Sequence, residues 1–242
     1  MEINIIGSCS IGATDMSAST LIDKKILIDV PNGIVKHIKK LGYNTGEIES
    51  ILITHLHGDH FFDIPFFMFD RYFQKNDNLV CIYCPKGTKE KVKLLFDIGF
   101  PGDFDRINHT INVKFVEFDG ESKIEGKDFV AYSKYVEHGN FEPAYGYIIT
   151  LNNKKIGFSG DSKFCNAIEN IVEETDISIL YMSHAQNVSP AHMGIEDIKY
   201  LCNKYKNKTI ISTHMHEYTK GQALRLNIKN FIVGKDNLKI SI

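Results

Sequence analysis

The chain has 242 residues, of which 43% are hydrophobic and 24% are charged, and its formal net charge is −2 at pH 7. This composition is typical of a globular protein that buries a core of normal size. The small net charge argues against a long nucleic-acid footprint, which needs a strongly basic surface. The sequence also lacks an apolar stretch long enough to span a bilayer, so no membrane partner is expected.

The five cysteines are scattered, and an odd number at irregular spacing is not a disulfide framework. Cys81 and Cys84 form a single CxxC, but without a second pair they are interpreted as ordinary strand cysteines. The first residues lack the basic start, apolar run and cleavage site of a signal peptide. We therefore expect a cytoplasmic protein.

Hydrophobic spacing predicts the secondary structure in chain order. Residues 2–6 are predicted to form a strand, 19–30 a hairpin, 32–41 a helix and 50–54 a short buried strand. Residues 61–73 follow as a helical segment dense in aromatic side chains. Later strands are expected at 79–83, 111–118, 128–136, 145–151, 154–158, 177–182, 208–212 and 237–241, and later helices at 87–97, 164–173 and 194–205.

The grouping of these elements predicts the fold class. Strands occur in groups with helices between the groups, which indicates an α+β fold with helices packed outside sheets. The sequence contains no linker, low-complexity tract or internal repeat. Candidate functional residues extend from Cys9 to His214, so a cut in the middle of the chain would divide them. We therefore predict a single domain over residues 1–242.

One short segment carries most of the chemical signal. His55, His57, Asp59 and His60 bring four ligand-type side chains into six consecutive positions of a chain that has ten histidines in all. Imidazole and carboxylate groups are the ligands preferred by zinc and its first-row neighbours. The segment follows a buried strand, where a loop can turn alternate side chains toward one point, and Gly58 is expected to permit the tight turn. A surface loop with chance histidines is the alternative, and the ligand spacing favours a metal site.

A second metal ion would need more ligands than this segment supplies. His138, Asp161 and His214 each lie just after a predicted strand. A strand end on a rigid scaffold can aim a side chain at a metal. These three residues are therefore further candidate ligands.

The order of these pieces resembles the metallo-β-lactamase superfamily. The matching pieces are the cluster at 55–60, the single His138, the Gly160-Asp161-Ser162 turn and the terminal Thr213-His214, and together they cover nearly the whole chain. The resemblance implies a four-layer αββα sandwich with a site that holds two divalent metal ions. Zinc is the default ion, with manganese or iron as alternatives.

The resemblance also implies a role for each ligand. His55, His57 and His138 would hold the first metal, and Asp59, His60 and His214 the second. Asp161 would bridge the two. A hydroxide between the metals would be the nucleophile, because two cations lower the pKa of a bound water toward neutrality. Among the ligands, Asp59 is expected to take part in catalysis.

Two further stretches resemble the tRNase Z branch of this superfamily. Residues 138–147 contain a Pro-x-x-Gly-Tyr pattern after the histidine, and Ala191-His192-Met193-Gly194 places a histidine before a predicted helix. The resemblance implies that His192 lies over the substrate phosphate and stabilises the transition state or protonates the leaving oxygen. A histidine suits that role because it can donate to a phosphoryl oxygen near neutral pH. A helix-start residue with no role is the alternative.

The chain departs from tRNase Z in one respect. That family carries a long tRNA-clamping arm between its third- and fourth-motif ligands, whereas only 22 residues separate His138 from Asp161 here. Arm-less relatives act on small phosphodiesters, including cyclic nucleotides. The sequence therefore predicts a phosphodiesterase whose partner is a small-molecule or short nucleotide substrate.

Other functions remain open alternatives. One is a tRNase Z-like endoribonuclease. Another is a lactonase, thioesterase or β-lactamase-like enzyme, because the same ligands serve attack on carbonyl and phosphoryl centres alike. A sensor protein with a degenerate metal site would lack a ligand, and none is missing. A redox diiron relative fits poorly, because the chain has no room for a flavin domain.

Four sequence features keep two interpretations each. His216 could replace His214 as a ligand or lie near the substrate. His184 could face the pocket or pack as an edge residue. Asp63 could orient a ligand histidine or cap a helix. The aromatic segment 61–73 could be core, contact a substrate base or form the homodimer face that the family resemblance implies.

Overall fold

Two seven-stranded sheets, each in its own unit of the chain, make up this computed structural model, which describes residues 1–186 and 189–242. The first unit comprises Met1–Ile6, Ser19–Asp119 and Asn237–Ile242, and the second comprises Gly7–Ala18 and Gly120–Asp236. That both belong to one domain stays a prediction. The strands of the described residues are β1 (Glu2–Gly7), β2 (Ser19–Ile22), β3 (Ile26–Ile28), β4 (Ser50–Leu52), β5 (Val80–Pro85), β6 (Val113–Phe118), β7 (Lys123–Glu125), β8 (Val130–Tyr135), β9 (Tyr145–Leu151), β10 (Lys154–Phe158), β11 (Ile177–Tyr181), β12 (Thr209–Thr213), β13 (Phe231–Val233) and β14 (Leu238–Ser241).

Helices accompany both sheets. Within the described residues they are α1 (Ile34–Lys40), α2 (Gly58–Phe61), α3 (Ile64–Phe73), α4 (Thr88–Gly99), α5 (Asp103–Thr110), α6 (Asn166–Glu174), α7 (Ile195–Lys204) and α8 (Glu217–Ala223). None of these helices is both long enough and apolar enough to cross a membrane.

The sheet of the first unit has the order β14-β1-β2-β3-β4-β5-β6. Its neighbours β3, β4, β5 and β6 run parallel, whereas β2 pairs with β3 antiparallel. Every residue of β3 and of β4 is buried, as expected for parallel strands covered on both faces. The parallel arrangement puts the carboxyl ends of β3 and β4 at the same edge of this sheet.

The sheet of the second unit has the order β13-β12-β11-β10-β9-β8-β7. Its neighbours β10, β11, β12 and β13 run parallel, and β8 and β9 continue the sheet antiparallel. Since β8 opposes β9 and β9 opposes β10, β8 runs in the same direction as β10. The carboxyl ends of β8, β10, β11 and β12 therefore share one edge.

Most of the elements expected from the sequence are present, and four were missed. The missed elements are α5, α8, β7 and β13. Two of them, β7 and β13, have only three residues each. The helices α5 and α8 are short, at eight and seven residues, and bury only two residues each.

The aromatic segment 61–73 is not one helix. It starts inside α2 and continues in α3, which has proline in its first turn. Phe61 and Phe67 are core residues, whereas the side chain of Phe73 is 74% exposed. Phe69 packs on Phe96 of α4, with ring centroids 5.4 Å apart. The segment is therefore partly core and partly surface.

Replacing Phe96 by alanine tests this aromatic core. Phe96 is fully buried and contacts Phe69 and Phe104. We expect the free energy of unfolding, measured by urea denaturation, to fall by about 3–5 kcal/mol, because the substitution removes apolar contacts and leaves a cavity. Phe73→Ala is the matched control and should change it by less than about 0.5 kcal/mol. Equal losses in both variants would contradict this packing.

Candidate metal centre

The first unit gathers four of the predicted ligands on the segment that follows β4. His57 is the extended N-cap residue of α2, so Asp59 and His60 lie on the first turn of that helix. His55 and His60 are fully buried, and Asp59 is 7% exposed. Gly58 does not have a positive φ, so the turn into α2 does not depend on the left-handed conformation that glycine permits. Its small size matters instead, because a Cβ there would lie 2.7 Å from the ring of Phe62.

The ligand atoms of this segment converge. The Nε2 of His55 and the Nδ1 of His57 lie 3.1 Å apart. Two nitrogens bound to one tetrahedral zinc at ~2.0–2.1 Å would be about 3.3 Å apart. The ring of His60 lies 4.1 Å from that of His55, and the Nε2 of His60 lies 3.7 Å from the Oδ2 of Asp59. The donor set and its spacing fit a first-row divalent metal.

A buried carboxylate that the sequence analysis missed orients this segment. Asp29 follows β3 directly, is fully buried and adopts a left-handed φ of 59°. Its Oδ1 accepts from the backbone N–H of Thr54 at 2.8 Å, and its Oδ2 lies 2.9 Å from the Nδ1 of His60. A histidine whose Nδ1–H is held by a carboxylate presents Nε2 as the ligand nitrogen. Asp29 thus sets both the tautomer and the direction of His60.

The second unit gathers the other candidates at the shared carboxyl edge of its strands. His138 follows β8, Asp161 follows β10 and His214 follows β12, as predicted. The Oδ2 of Asp161 lies 3.7 Å from the Nε2 of His138, and its Oδ1 lies 3.4 Å from the Nδ1 of His214. Asp161 is thus flanked by imidazoles on both oxygens, a geometry that suits a bridging carboxylate.

Two oxygen atoms of the second unit orient these imidazoles. The Nδ1 of His138 donates to the carbonyl of Ala191 at 2.9 Å. The hydroxyl of Ser183 lies 2.9 Å from the Nδ1 of His214 and 3.1 Å from the Nδ1 of His192. Sequence reasoning did not single out Ser183, because a serine two residues after a strand carries no signal of its own. It connects the candidate ligand His214 to His192.

The backbone at His214 is unusual. Its φ is 59°, in the left-handed region that a side chain other than glycine or asparagine rarely adopts. Its ring stacks on Tyr181 of β11, with centroids 5.4 Å apart and planes at 6°. Strained residues of this kind occur where surrounding contacts hold a side chain for function.

His192 lies beside Asp161, although not in the first turn of a helix. The N-cap of α7 is Gly194, whose N–H donates to the carboxylate of Asp197, so a negative charge already occupies the helix start. The Nδ1 of His192 lies 3.9 Å from the Oδ2 of Asp161, and the donor atoms of Asp161, His192 and His214 all lie within 4.8 Å of one another. Burial lowers the pKa of His192 to about 4, although Asp161 opposes the shift. The segment before α7 therefore offers the site the imidazole of His192 and not the N-terminal dipole of the helix.

Two histidines left open by the sequence lie farther along the same unit. The ring of His184 lies 5.6 Å from that of His192 and 5.5 Å from that of His216. The hydroxyl of Ser10 lies 2.8 Å from the Nδ1 of His216. Burial lowers the pKa of His216, and its imidazole neighbours His184 and His214 lower it further. His184 is therefore part of an imidazole row rather than an isolated edge residue.

Asp63 has the helix-capping role rather than a ligand-orienting one. Its Oδ2 accepts from the backbone N–H of Val35 in α1 at 2.8 Å. Burial raises the pKa of Asp63, and the backbone hydrogen bonds oppose that rise. The helix it caps is α1, not the α3 helix that follows it in sequence.

Comparison with known proteins places the chain among metallohydrolases. The family described as anti-Pycsar protein Apyc1 matches residues 1–235. Ribonuclease Z of Pyrococcus horikoshii is 28% identical over 135 residues, which are 55% of this chain and 41% of that protein. The chain therefore matches less than half the length of this curated relative.

Solved structures show the fold. The short form of human tRNase Z (ELAC1) has a TM-score of 0.80 at 17% identity and covers 100% of this chain and 99% of its own. The metallo-β-lactamase fold protein YhfI of Bacillus subtilis scores 0.79 at 16% identity over 99% of this chain and 98% of its own. A diphosphatase of the PhnP family scores 0.76 at 20% identity over 100% and 97%. Together with the two mixed sheets, these likenesses confirm the α+β metallo-β-lactamase fold predicted from the sequence.

The Asp29→Asn variant tests how the first group of ligands is oriented. Asparagine tolerates the left-handed backbone but removes the charge that holds Nδ1–H of His60. Loss of such a partner should weaken metal affinity roughly 10–100-fold. Chelator competition with Zn²⁺ or Mn²⁺ measures it. Asp23→Asn is the control, since Asp23 accepts from the N–H of Glu2 and is not a candidate ligand. Unchanged affinity in Asp29→Asn would show that Asp29 is not needed for orientation.

Proposed function

Because the chain belongs to the family described as anti-Pycsar protein Apyc1, we propose that it is a dinuclear metal-dependent phosphodiesterase acting on a cyclic or short nucleotide. The observation that carries the proposal is the location of His192. Its imidazole lies beside Asp161, is 22% exposed and shares the hydroxyl of Ser183 with the candidate ligand His214. A partly exposed imidazole next to a metal-binding carboxylate can reach a substrate phosphate.

The two groups of ligands are proposed to act together, as the superfamily resemblance implies. In this proposal His55, His57 and His138 hold one metal and Asp59, His60 and His214 the other, with Asp161 shared. The donor set of nitrogen and carboxylate oxygen suits zinc first and manganese or iron next. When bound, two such cations supply a hydroxide at neutral pH and neutralise charge on a phosphoryl group.

Side chains would supply the hydrogen bond to the phosphoryl group and the acceptor for the proton of water. A Ser183 hydroxyl that donates to the Nδ1 of His192 leaves the proton on Nε2, and the neutral ring can donate it to a phosphoryl oxygen. The depressed pKa of His192 keeps the ring neutral at pH 7, so it acts as a hydrogen-bond donor. Asp59, next to His60, would accept the proton of the attacking water.

The segment between His138 and Asp161 favours a small substrate. Its 22 intervening residues contain β9 and β10, which pair as a hairpin across a two-residue turn at Asn152 and Asn153. Both turn residues are left-handed, with φ of 51° and 60°, as in the tight turns that join antiparallel strands. This segment therefore cannot hold the tRNA-clamping arm expected of tRNase Z.

A second candidate function is a ribonuclease Z-like endoribonuclease. The 28% identity to the Pyrococcus horikoshii ribonuclease Z favours it. A lactonase or other carbonyl hydrolase would use the same ligands, because a metal-bound hydroxide attacks carbonyl and phosphoryl centres alike.

Hydrolysis of bis(p-nitrophenyl) phosphate with added Zn²⁺ or Mn²⁺ tests the reaction class. We expect turnover by the unaltered protein and a loss of roughly 10²–10⁴-fold in kcat for His192→Ala, because a donor to the phosphoryl group is removed. Asp161→Ala should lose activity together with bound metal. His109→Ala is the control, because His109 is exposed on α5.

Nitrocefin and a lactone serve as competing substrates in the same assay. Faster turnover of either than of the diester would move the protein to the carbonyl hydrolases. Full activity of His192→Ala on the diester would remove His192 from the reaction.

Substrate size is tested by comparing 3′,5′-cyclic mononucleotides with a precursor tRNA. We expect kcat/KM for at least one cyclic mononucleotide to exceed that for the tRNA, because the hairpin leaves no clamping arm and the net charge is −2. Accurate cleavage of the tRNA at higher kcat/KM would favour the endoribonuclease instead.

A further inference from the structure

Three imidazoles form a row in the second unit: His192, His184 and His216. Only His192 of the three has an ion-pair distance to Asp161, at 3.9 Å. The other two continue from it in ring-to-ring steps of 5.6 Å and 5.5 Å. All three rings are partly exposed, whereas the candidate ligands His138 and His214 are buried. The row therefore begins beside the buried ligand group and continues through partly exposed rings.

We propose that His184 and His216 bind the sugar and base oxygens of the nucleotide whose phosphate lies at His192, an inference that rests on the proposed function. An imidazole offers an N–H donor, which can bind the hydroxyl oxygens of a sugar and the carbonyl oxygens of a base. In a nucleotide the sugar and then the base follow the phosphate, and His184 and His216 follow His192 in the same sequence. They are specificity-determining residues, distinct from the ligands.

The backbone around the row fixes where the rings lie. His184 forms an isolated parallel bridge with Gly194, two residues beyond His192. The carbonyl of Ser183, the preceding residue, accepts from the hydroxyl of Thr219 at 2.9 Å. His184 is therefore held between the loop before α7 and the helix α8. A rigidly held donor binds a ligand without an ordering cost.

His216 is held by a clamped loop. Ser10, whose hydroxyl contacts the Nδ1 of His216, lies on the loop 8–15. Thr14 and Asp15 of the same loop bind Glu217 and Lys220 of α8, the backbone N–H of Thr14 at 3.1 Å from Glu217 and the carboxylate of Asp15 at 2.8 Å from Lys220. If the Ser10 hydroxyl donates to Nδ1, the proton of His216 lies on Nε2, the atom that can donate outward. The contacts between the loop 8–15 and α8 thus fix the loop, and through Ser10 they also orient the Nε2–H donor of His216.

Steady-state kinetics of purified, metal-loaded protein test the inference with two substrates. Bis(p-nitrophenyl) phosphate has no sugar or base, whereas the 3′,5′-cyclic mononucleotides have both. We expect His184→Ala and His216→Ala to raise the ratio of KM for the cyclic nucleotide to KM for the diester about tenfold, the loss of one hydrogen bond. His216→Gln, which keeps a donor near the Nε2 position, should recover part of that ratio.

Two controls separate substrate binding from structure and metal binding. Thr14→Val removes the hydrogen bond that the Thr14 hydroxyl donates to Glu217 without removing an imidazole, so its KM ratio should stay near that of the unaltered protein. Metal content of His216→Ala, measured by atomic emission, should stay at two ions per chain. Loss of an ion would make His216 a ligand and overturn the inference, as would an equal change in Thr14→Val.

The remaining outcomes distinguish the inference from the proposed function. Diester cleavage with unchanged KM ratios in both alanine variants would overturn the inference and leave the phosphodiesterase intact. Diester cleavage by a protein that neither hydrolyses nor is inhibited by any cyclic mononucleotide would do the same. Absence of diester cleavage would overturn both.

Discussion

Parallel strands end at the same edge of a sheet, and each unit uses this constraint to gather polar side chains. In the first unit β3 and β4 are parallel neighbours, so Asp29 and Thr54, which follow them, meet in a hydrogen bond. In the second unit β10, β11 and β12 are parallel neighbours, so Asp161, Ser183 and His214 meet in the same way. The strands themselves supply only apolar burial. Because these strands run in the same direction within each sheet, polar residues that are far apart in the sequence come together at one edge of that sheet.

Because these polar side chains are buried, losing the hydrogen bonds that orient them costs free energy. A polar side chain that is removed from water needs a hydrogen-bond partner. A buried imidazole is therefore held in place by the oxygen atom that is hydrogen-bonded to its Nδ1. Asp29 serves His60, Ser183 serves His214 and the carbonyl of Ala191 serves His138. None of these oxygens is itself a proposed ligand. They decide which nitrogen each histidine presents, so the affinity of the centre depends on them as much as on the ligands.

The sequence predicts ligands better than it predicts the residues that orient them. His55, His57, Asp59 and His60 are recognisable because four ligand types crowd into six positions. His138, Asp161 and His214 gain weight from lying at strand ends in the expected order. Asp29 follows an apolar strand just as Asp161 does, but the sequence pattern predicts it to lie in the second strand of the hairpin 19–30. The position of Asp29 after a strand is visible in the sequence. Its orienting role can be inferred only once β3 is known to pair in parallel with β4.

Other features have no sequence signal at all. Ser183 and Ser10 are single hydroxyls in a chain that has many, and their roles arise from contacts with His214, His192 and His216 across long stretches of chain. The elements β7 and β13 are too short for periodicity, and α5 and α8 bury too few apolar residues to show a stripe. These elements form because neighbouring strands and helices supply the burial that their own residues do not.

The division between ligands and orienting residues bears on how substrate choice can change in this fold. The proposed ligand histidines other than His57 are buried, and in the proposed function a substitution of any ligand would alter the metal and hence every reaction. His184, one position after the orienting residue Ser183, and His216, two positions after the proposed ligand His214, are partly exposed and lie outside the helices and strands. A substitution at those positions would change the side chains that a bound substrate contacts, while the strand ends stay fixed. In the proposed function, substrate choice can therefore vary at His184 and His216 while the metal ligands stay unchanged.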